Sequence, residues 1–287
     1  MKYASIGLVV TILFAPWVEA AKTKNENVSG LELKEKHKRG RPFDTFNSGR
    51  VKKFIGNVFD DSYKIWDNFI SYDSMKILTV TLPFYLIGRR ADAAVHRQFY
   101  DIETHKNKNQ PPKFLCDISL EDRYLAIPFI SLGLVGWLSH DPYERRRGQV
   151  FSTGLMWAFA IKNILKLIKT DANLRPWHEN FDAHKRSHGG NPSGHMAVTA
   201  YMATYWSLEK GKKLGIPLWL FSAFAFSMNV ACNHHYFSQA VAGTGLGLML
   251  GMAAHAAFKN IVIFPNVTVG LGADSRGNLG VRFAYDF

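Results

Sequence analysis

From residue 51 to residue 70, apolar side chains recur at three- and four-residue spacing (Val51, Phe54, Ile55, Val58, Phe59, Ile65, Trp66, Phe69, Ile70). That pattern predicts an amphipathic helix lying on a membrane surface or on a larger domain. A shorter apolar run over 77–87 contains Pro83 and stops at Arg89-Arg90. Helix-sized apolar segments follow at 124–138, 150–168, 196–208, 216–232 and 240–258. The last of them is dense in glycine and alanine, which lets a neighbouring helix come close. After Pro265 the period changes to two. Val267, Val269, Leu271 and Ala273 alternate with polar or glycine positions, Ser275-Arg276-Gly277-Asn278 reads as a turn, and 279–287 alternates again. The pattern predicts an all-α helical bundle with a short C-terminal β-hairpin.

Lys2 precedes an apolar stretch over 4–16, and Val18-Glu19-Ala20 places small residues where a signal peptidase reads. A bacterial signal peptide over 1–20 is expected, an uncleaved anchor helix being the alternative. Residues 21–50 are polar and basic and read as a flexible tail. The remaining divisions are then peripheral helices over 51–123, a helical core over 124–258 and the hairpin region over 259–287. Lysine and arginine outnumber aspartate and glutamate 35 to 23, a net charge of +12. No zinc-finger, helix-turn-helix or RNA-binding signature accompanies this excess, so phosphate or a phospholipid surface is the expected partner, not nucleic acid. Mean hydropathy is only −0.10, diluted by the polar ends.

With the basic loops around 144–147 and 210–213 on the cytoplasmic side, the segments from 150 onward alternate across a bilayer. The loops 169–195 and 233–239 then share the outer side. That parity requires 124–138 to span and 77–87 not to. Cys116 and Cys232 lie far apart in the chain, and Cys232 sits in an apolar run. They are expected as separate small buried side chains, a single bridge being the alternative.

Chemistry concentrates in Leu174-Arg175-Pro176, Pro192-Ser193-Gly194-His195 and His234-His235-Tyr236. Pro192 stops what precedes it, Ser193 is a good N-cap, and a helix starts behind it. The backbone N–H groups there, uncrowded at Gly194, favour a phosphate oxyanion. His195 stands in the first turn, placed to give a proton to a leaving oxygen. His235 follows forty positions later, one helix away and one helix back, and so returns to the same end of the bundle. Arg175 reaches that end from the segment before. Two imidazoles, an arginine, a lysine and a helix N-terminus suit phosphoryl transfer, one imidazole attacking phosphorus and the other, protonated, acting as acid. The histidines of the intervening loop (His178, His184, His188) follow no metal-ligand spacing.

The order Lys…Arg-Pro, Pro-Ser-Gly-His, then His before a small-residue helix resembles the type-2 phosphatidic acid phosphatase superfamily over about residues 124–258. That group also includes bacterial acid phosphatases and vanadium haloperoxidases. The resemblance implies a membrane-embedded bundle and phosphatase activity without a metal or other cofactor. His235 would be the nucleophile and His195 the general acid, with Arg175, Ser193 and Gly194 holding phosphate. Three positions depart from the pattern. The first-motif lysine falls at Ile168, flanked by Lys166 and Lys169, of which Lys166 preserves a Leu-Lys helix ending. An arginine is replaced by Asn229, which can hydrogen-bond phosphate but brings no charge. An orienting aspartate is replaced by Gln239, and Lys185, Arg186 and the loop histidines are candidates for the missing positive charge. The implied function is hydrolysis of a lipid phosphomonoester or diphosphate at the outer face of the bacterial inner membrane, through a phosphohistidine. A periplasmic acid phosphatase of the same fold, and a member that binds phosphorylated lipid or a partner without turnover, are the alternatives.

Overall fold

Eight helices organise the described residues of the computed structural model, which are 48–120, 122–177, 186–259, 267–273 and 279–285. They are α1 (Ser48–Phe69), α2 (Tyr72–His96), α3 (Lys113–Leu120), α4 (Asp122–Leu138), α5 (Pro142–Lys166), α6 (Gly194–Lys210), α7 (Lys212–Ala231) and α8 (Phe237–Lys259). A minimal hairpin, β1 (Tyr100–Asp101) with β2 (Lys106–Asn107), follows α2. The expected C-terminal hairpin forms from β3 (Val267–Ala273) and β4 (Leu279–Tyr285), with Val269 opposite Phe283. The signal peptide, the tail up to residue 47 and the turn at 274–278 lie outside the described residues.

Local chemistry explains several boundaries. Ser71 caps α2 by accepting from the Ser74 N–H, and Asp141 caps α5 with Pro142 in the first helical position. Gly211, at φ 66, separates α6 from α7 in a backbone conformation that side chains disfavour. The first turn of α8 is capped from a distance. Asp92 of α2 accepts from the Ser238 N–H (2.9 Å) and hydroxyl (2.5 Å).

The centre of the bundle is α6, buried almost continuously from Met196 to Leu208. Along it lies α8, with Gly243 against the Ser193 carbonyl and Gly247 against the Ala197 carbonyl. A side chain at either glycine would collide with backbone, so the absence of one sets the helix spacing. Tyr201 and Tyr205 donate to the carbonyls of Phe151 and Arg147, tying α6 to α5. At the far end of α6, buried Glu209 accepts from Arg147 Nε (2.9 Å) and meets His255 Nδ1 (2.6 Å), which joins α5, α6 and α8.

Three expectations change. The run over 77–87 lies inside the 25-residue helix α2, which continues through Pro83. Proline removes one ladder hydrogen bond, and close packing of α2 on α8 at Gly245 and Gly88 offsets the loss. Helices α1 and α2 both pack on α8, and Asp61 of α1 forms an ion pair with Arg146 of α5, so the 51–96 region is continuous with the bundle. The cysteines are also not separate: Cys116 and Cys232 form a disulfide, with their Cα atoms 6.0 Å apart. The short helix α3 lies beside α7 and delivers Cys116 to the end of that helix.

Helices α7 and α8 are long and apolar enough to cross a bilayer, and most of each is buried within the bundle. Length and apolarity of this order also serve the central helices of a soluble bundle.

Candidate active site

The turn between α7 and α8 carries two histidines and is held from three sides. The Asn229 carbonyl accepts from the N–H groups of both His234 and His235 (3.0 Å each). Asn233 adopts left-handed backbone (φ 54), and its amide donates to the Phe99 carbonyl (3.0 Å) and Asn107 Oδ1 (3.1 Å). Cys232 adds the covalent tie to α3.

His235 is buried, with Nδ1 3.3 Å from Gln239 Oε1. That oxygen also accepts from the Tyr236 N–H (3.1 Å), while Gln239 Nε2 donates to the carbonyls of Leu174 (2.7 Å) and Ala172 (3.1 Å). The two carbonyls fix which end of the amide is nitrogen. Oε1 can only accept, so Nδ1 of His235 carries the proton and Nε2 keeps its lone pair. Among the described residues, Nε2 has no hydrogen-bond partner. Burial holds this imidazole well below its usual range, with Arg175, His234, His195 and Lys166 adding in the same direction. It is therefore neutral at physiological pH.

His195, in the first turn of α6, places its ring centroid 6.4 Å from that of His235 and 5.5 Å from that of His234. Arg175 Nη1 donates to His234 Nε2 (3.3 Å). Asn173, in the 3-10 turn Asp171–Asn173, fixes the approach of Arg175. Its amide donates to the Lys166 carbonyl (3.0 Å) at the end of α5, and its oxygen accepts from the Asn191 N–H (2.8 Å). The segments bearing Arg175 and Pro192 are thereby held together.

The remaining predicted residues divide. Ser193 is the N-cap of α6; its hydroxyl faces the Met196 N–H and donates to Asn229 Oδ1 (3.4 Å each). Asn229 is fully buried; its amide nitrogen donates to the Ala225 carbonyl within α7, and its oxygen supports the start of α6 through Ser193. Lys166 runs past Gly189 and acts electrostatically on His235, whereas Lys169 is exposed beyond the helix end. Arg186 donates to the Tyr236 hydroxyl (3.0 Å) and lies over the Trp177 ring; His188 is exposed. His178, His184 and Lys185 lie outside the described residues.

Sequence reasoning gave no role to two neighbours, His234 of the predicted His234-His235-Tyr236 cluster and Lys162. His234 completes a group whose ring nitrogens lie within 4.8 Å of one another, a set able to receive a metal ion. Its surroundings, with Arg175 and Lys166 at hand, are positive and suit an anion better than a cation. The other is Lys162, whose Cδ and Nζ would each lie 2.9 Å from a Cβ on Gly194. Its position one helical turn before Lys166 was the available signal.

Residues 149–263 match the family model of the PAP2 superfamily. The match covers less than half of the chain. Hydrolysis of phosphate esters is the chemistry this family points to. No curated protein and no solved structure matches the chain. The matched segment takes in α6, α7, the histidine turn and α8, together with Arg175.

Proposed function

We propose that this chain hydrolyses a lipid phosphomonoester or diphosphate through a phosphohistidine at His235. The observation that carries the reading is Nε2 of His235, buried, neutral and without a hydrogen-bond partner among the described residues, with the His195 ring centroid 6.4 Å from its own and Arg175 and Lys166 acting on it. In the first step the Nε2 lone pair forms a bond to phosphorus and the ester P–O bond breaks. His195, in its protonated form, gives its proton to the departing oxygen. In the second step neutral His195 takes a proton from water, the hydroxide attacks phosphorus, and the N–P bond returns its electron pair to Nε2. Arg175 holds a phosphoryl oxygen and keeps His234 in place, while Gly194 presents the helix N-terminus to the developing charge. Gln239 orients His235.

A lipid substrate is supported by the apolar residues that face outward around the bundle: Phe59 on α1, Leu86 on α2, Ile127 on α4, Met156 on α5 and Leu220 on α7. Exposed apolar surface on this scale fits an acyl-chain environment. The site end, with the Cys116–Cys232 bridge, belongs on an oxidising side, and the end rich in Arg145–Arg147 and Lys210–Lys213 on the cytoplasmic side. We place the protein in a bacterial inner membrane with the site facing the periplasm. A periplasmic acid phosphatase of the same fold is the second reading, favoured by the burial of most of α7 and α8 within the bundle.

Phosphate release by purified protein, without added metal, from a panel of lipid phosphates and a soluble ester tests the reading. His235→Ala and His195→Ala are expected to abolish it. Release that is undiminished in both variants overturns the mechanism. Carbonate extraction of membranes separates the two locations.

A further inference from the structure

We infer that Lys162 is a phosphate-contacting residue of this site, supplying at Gly194 the positive charge that Asn229 does not. The inference rests on the phosphatase reading. Lys162 belongs to α5, one helical turn before Lys166, so both ammonium groups project along the same side of that helix. The Lys162 stem lies against Gly194, the first residue of α6, with Cδ and Nζ each 2.9 Å from where a Cβ would stand. Gly194 opens α6, whose first N–H groups carry a partial positive charge, and an ammonium at this helix end adds a full charge to it. The amide of Asn229 is directed to Ser193 and Ala225, and the Arg175 guanidinium to His234. Lys162, which also lies over the Phe159 ring, therefore adds a cation at the start of α6 to Arg175 and Lys166, which act on His235.

The same contact gives a physical reason for glycine at position 194. A methyl there would leave the backbone N–H in place but would push the flexible lysine aside. Lys162 and Gly194 should consequently act as one unit, which a merely structural lysine would not do.

The test is a double-mutant cycle on kcat/KM for a soluble phosphate ester, paired with titration of inorganic phosphate followed by 31P NMR. Lys162→Ala is expected to lower kcat/KM by about 100-fold, the order seen for one lost transition-state donor, and to weaken phosphate binding at least about tenfold. Lys162→Arg should retain most of both. Lys213→Ala, the same loss of charge at the opposite end of the bundle, should change neither. Gly194→Ala should fall to a level comparable with Lys162→Ala, and the double variant no further than the worse single. If Lys162→Ala stays within about threefold of the parent while His235→Ala is inactive, the phosphatase reading stands and the Lys162 assignment falls. Multiplying effects in the cycle overturn the assignment as well. Should the parent show no turnover, phosphate binding decides: weakening by Lys162→Ala upholds the assignment, and unchanged binding overturns it. A parent that neither turns over nor binds phosphate overturns both readings.

Discussion

Gln239→Glu changes one atom type in a buried side chain and removes the donor of two hydrogen bonds. In the parent, Nε2 donates to the carbonyls of Leu174 and Ala172 at 2.7 and 3.1 Å, and Oε1 accepts from Tyr236 and His235. A carboxylate of the same length keeps the accepting half and loses the donating half. Two carbonyls next to Arg175 would then face a negative charge without a donor. Each buried acceptor left in this way costs about 1–3 kcal/mol. An offsetting ion pair with His235 requires an imidazolium, which burial and the surrounding cations disfavour. The expected loss is about 2–6 kcal/mol, a fall in melting midpoint of about 4–24 °C for a domain of this size. The carboxylate would also raise the His235 pKa, so kcat/KM at neutral pH should drop and its acid limb move upward. Thermal melts and pH–rate profiles on parent, Gln239→Glu and Gln239→Asp check both effects. A carboxylate variant as stable as the parent and faster at pH 7 would refute the role assigned to the amide.

Three further outcomes follow from the same geometry. The folded protein keeps His235 neutral where the unfolded chain, with an imidazole pKa of about 6.5, binds a proton. Stability should therefore decline as pH falls below that value, and His235→Asn should remove part of the decline in melts taken between pH 7 and 5. Reduction of Cys116–Cys232, whose partners are 116 residues apart in sequence, should cost about 3–5 kcal/mol and loosen the histidine turn. Equal melting midpoints and equal turnover with and without reductant would contradict this. Gly247→Ala inserts a methyl against the Ala197 carbonyl and should destabilise by about 1–3 kcal/mol, with lower activity in whatever protein remains folded. Denaturant titration alongside kcat measures the two separately.

The site was legible in the sequence where its residues sit close together or return at helical distances. Pro192–His195, Arg175 and His235 were predicted in this way, and the structure brings His195 and His235 to the same end of the bundle. The residues that escaped depend on contacts between distant segments. Lys162 is remote from Arg175 along the chain and near Gly194 only once α5 and α6 are packed. Gln239, compared with a carboxylate solely as a partner for histidine, hid the donating half of its amide, whose targets come from a different segment. The disulfide was missed because its pairing depends on where α3 settles. The apolar period located most of the helices but stopped α2 at Pro83 and Arg89-Arg90, where packing on α8 carries the helix onward.

The glycine seam between α6 and α8 bears on the gap between the two histidines. His195 opens one of these helices and His235 stands just ahead of the other, and between them peptide backbone touches peptide backbone. The separation of the two imidazoles is thus gauged by main-chain thickness, a dimension that no exchange of core side chains can trim. Drift elsewhere in the bundle can alter which substrates arrive and how they are gripped. The separation of His195 from His235 would stay fixed for as long as the seam does.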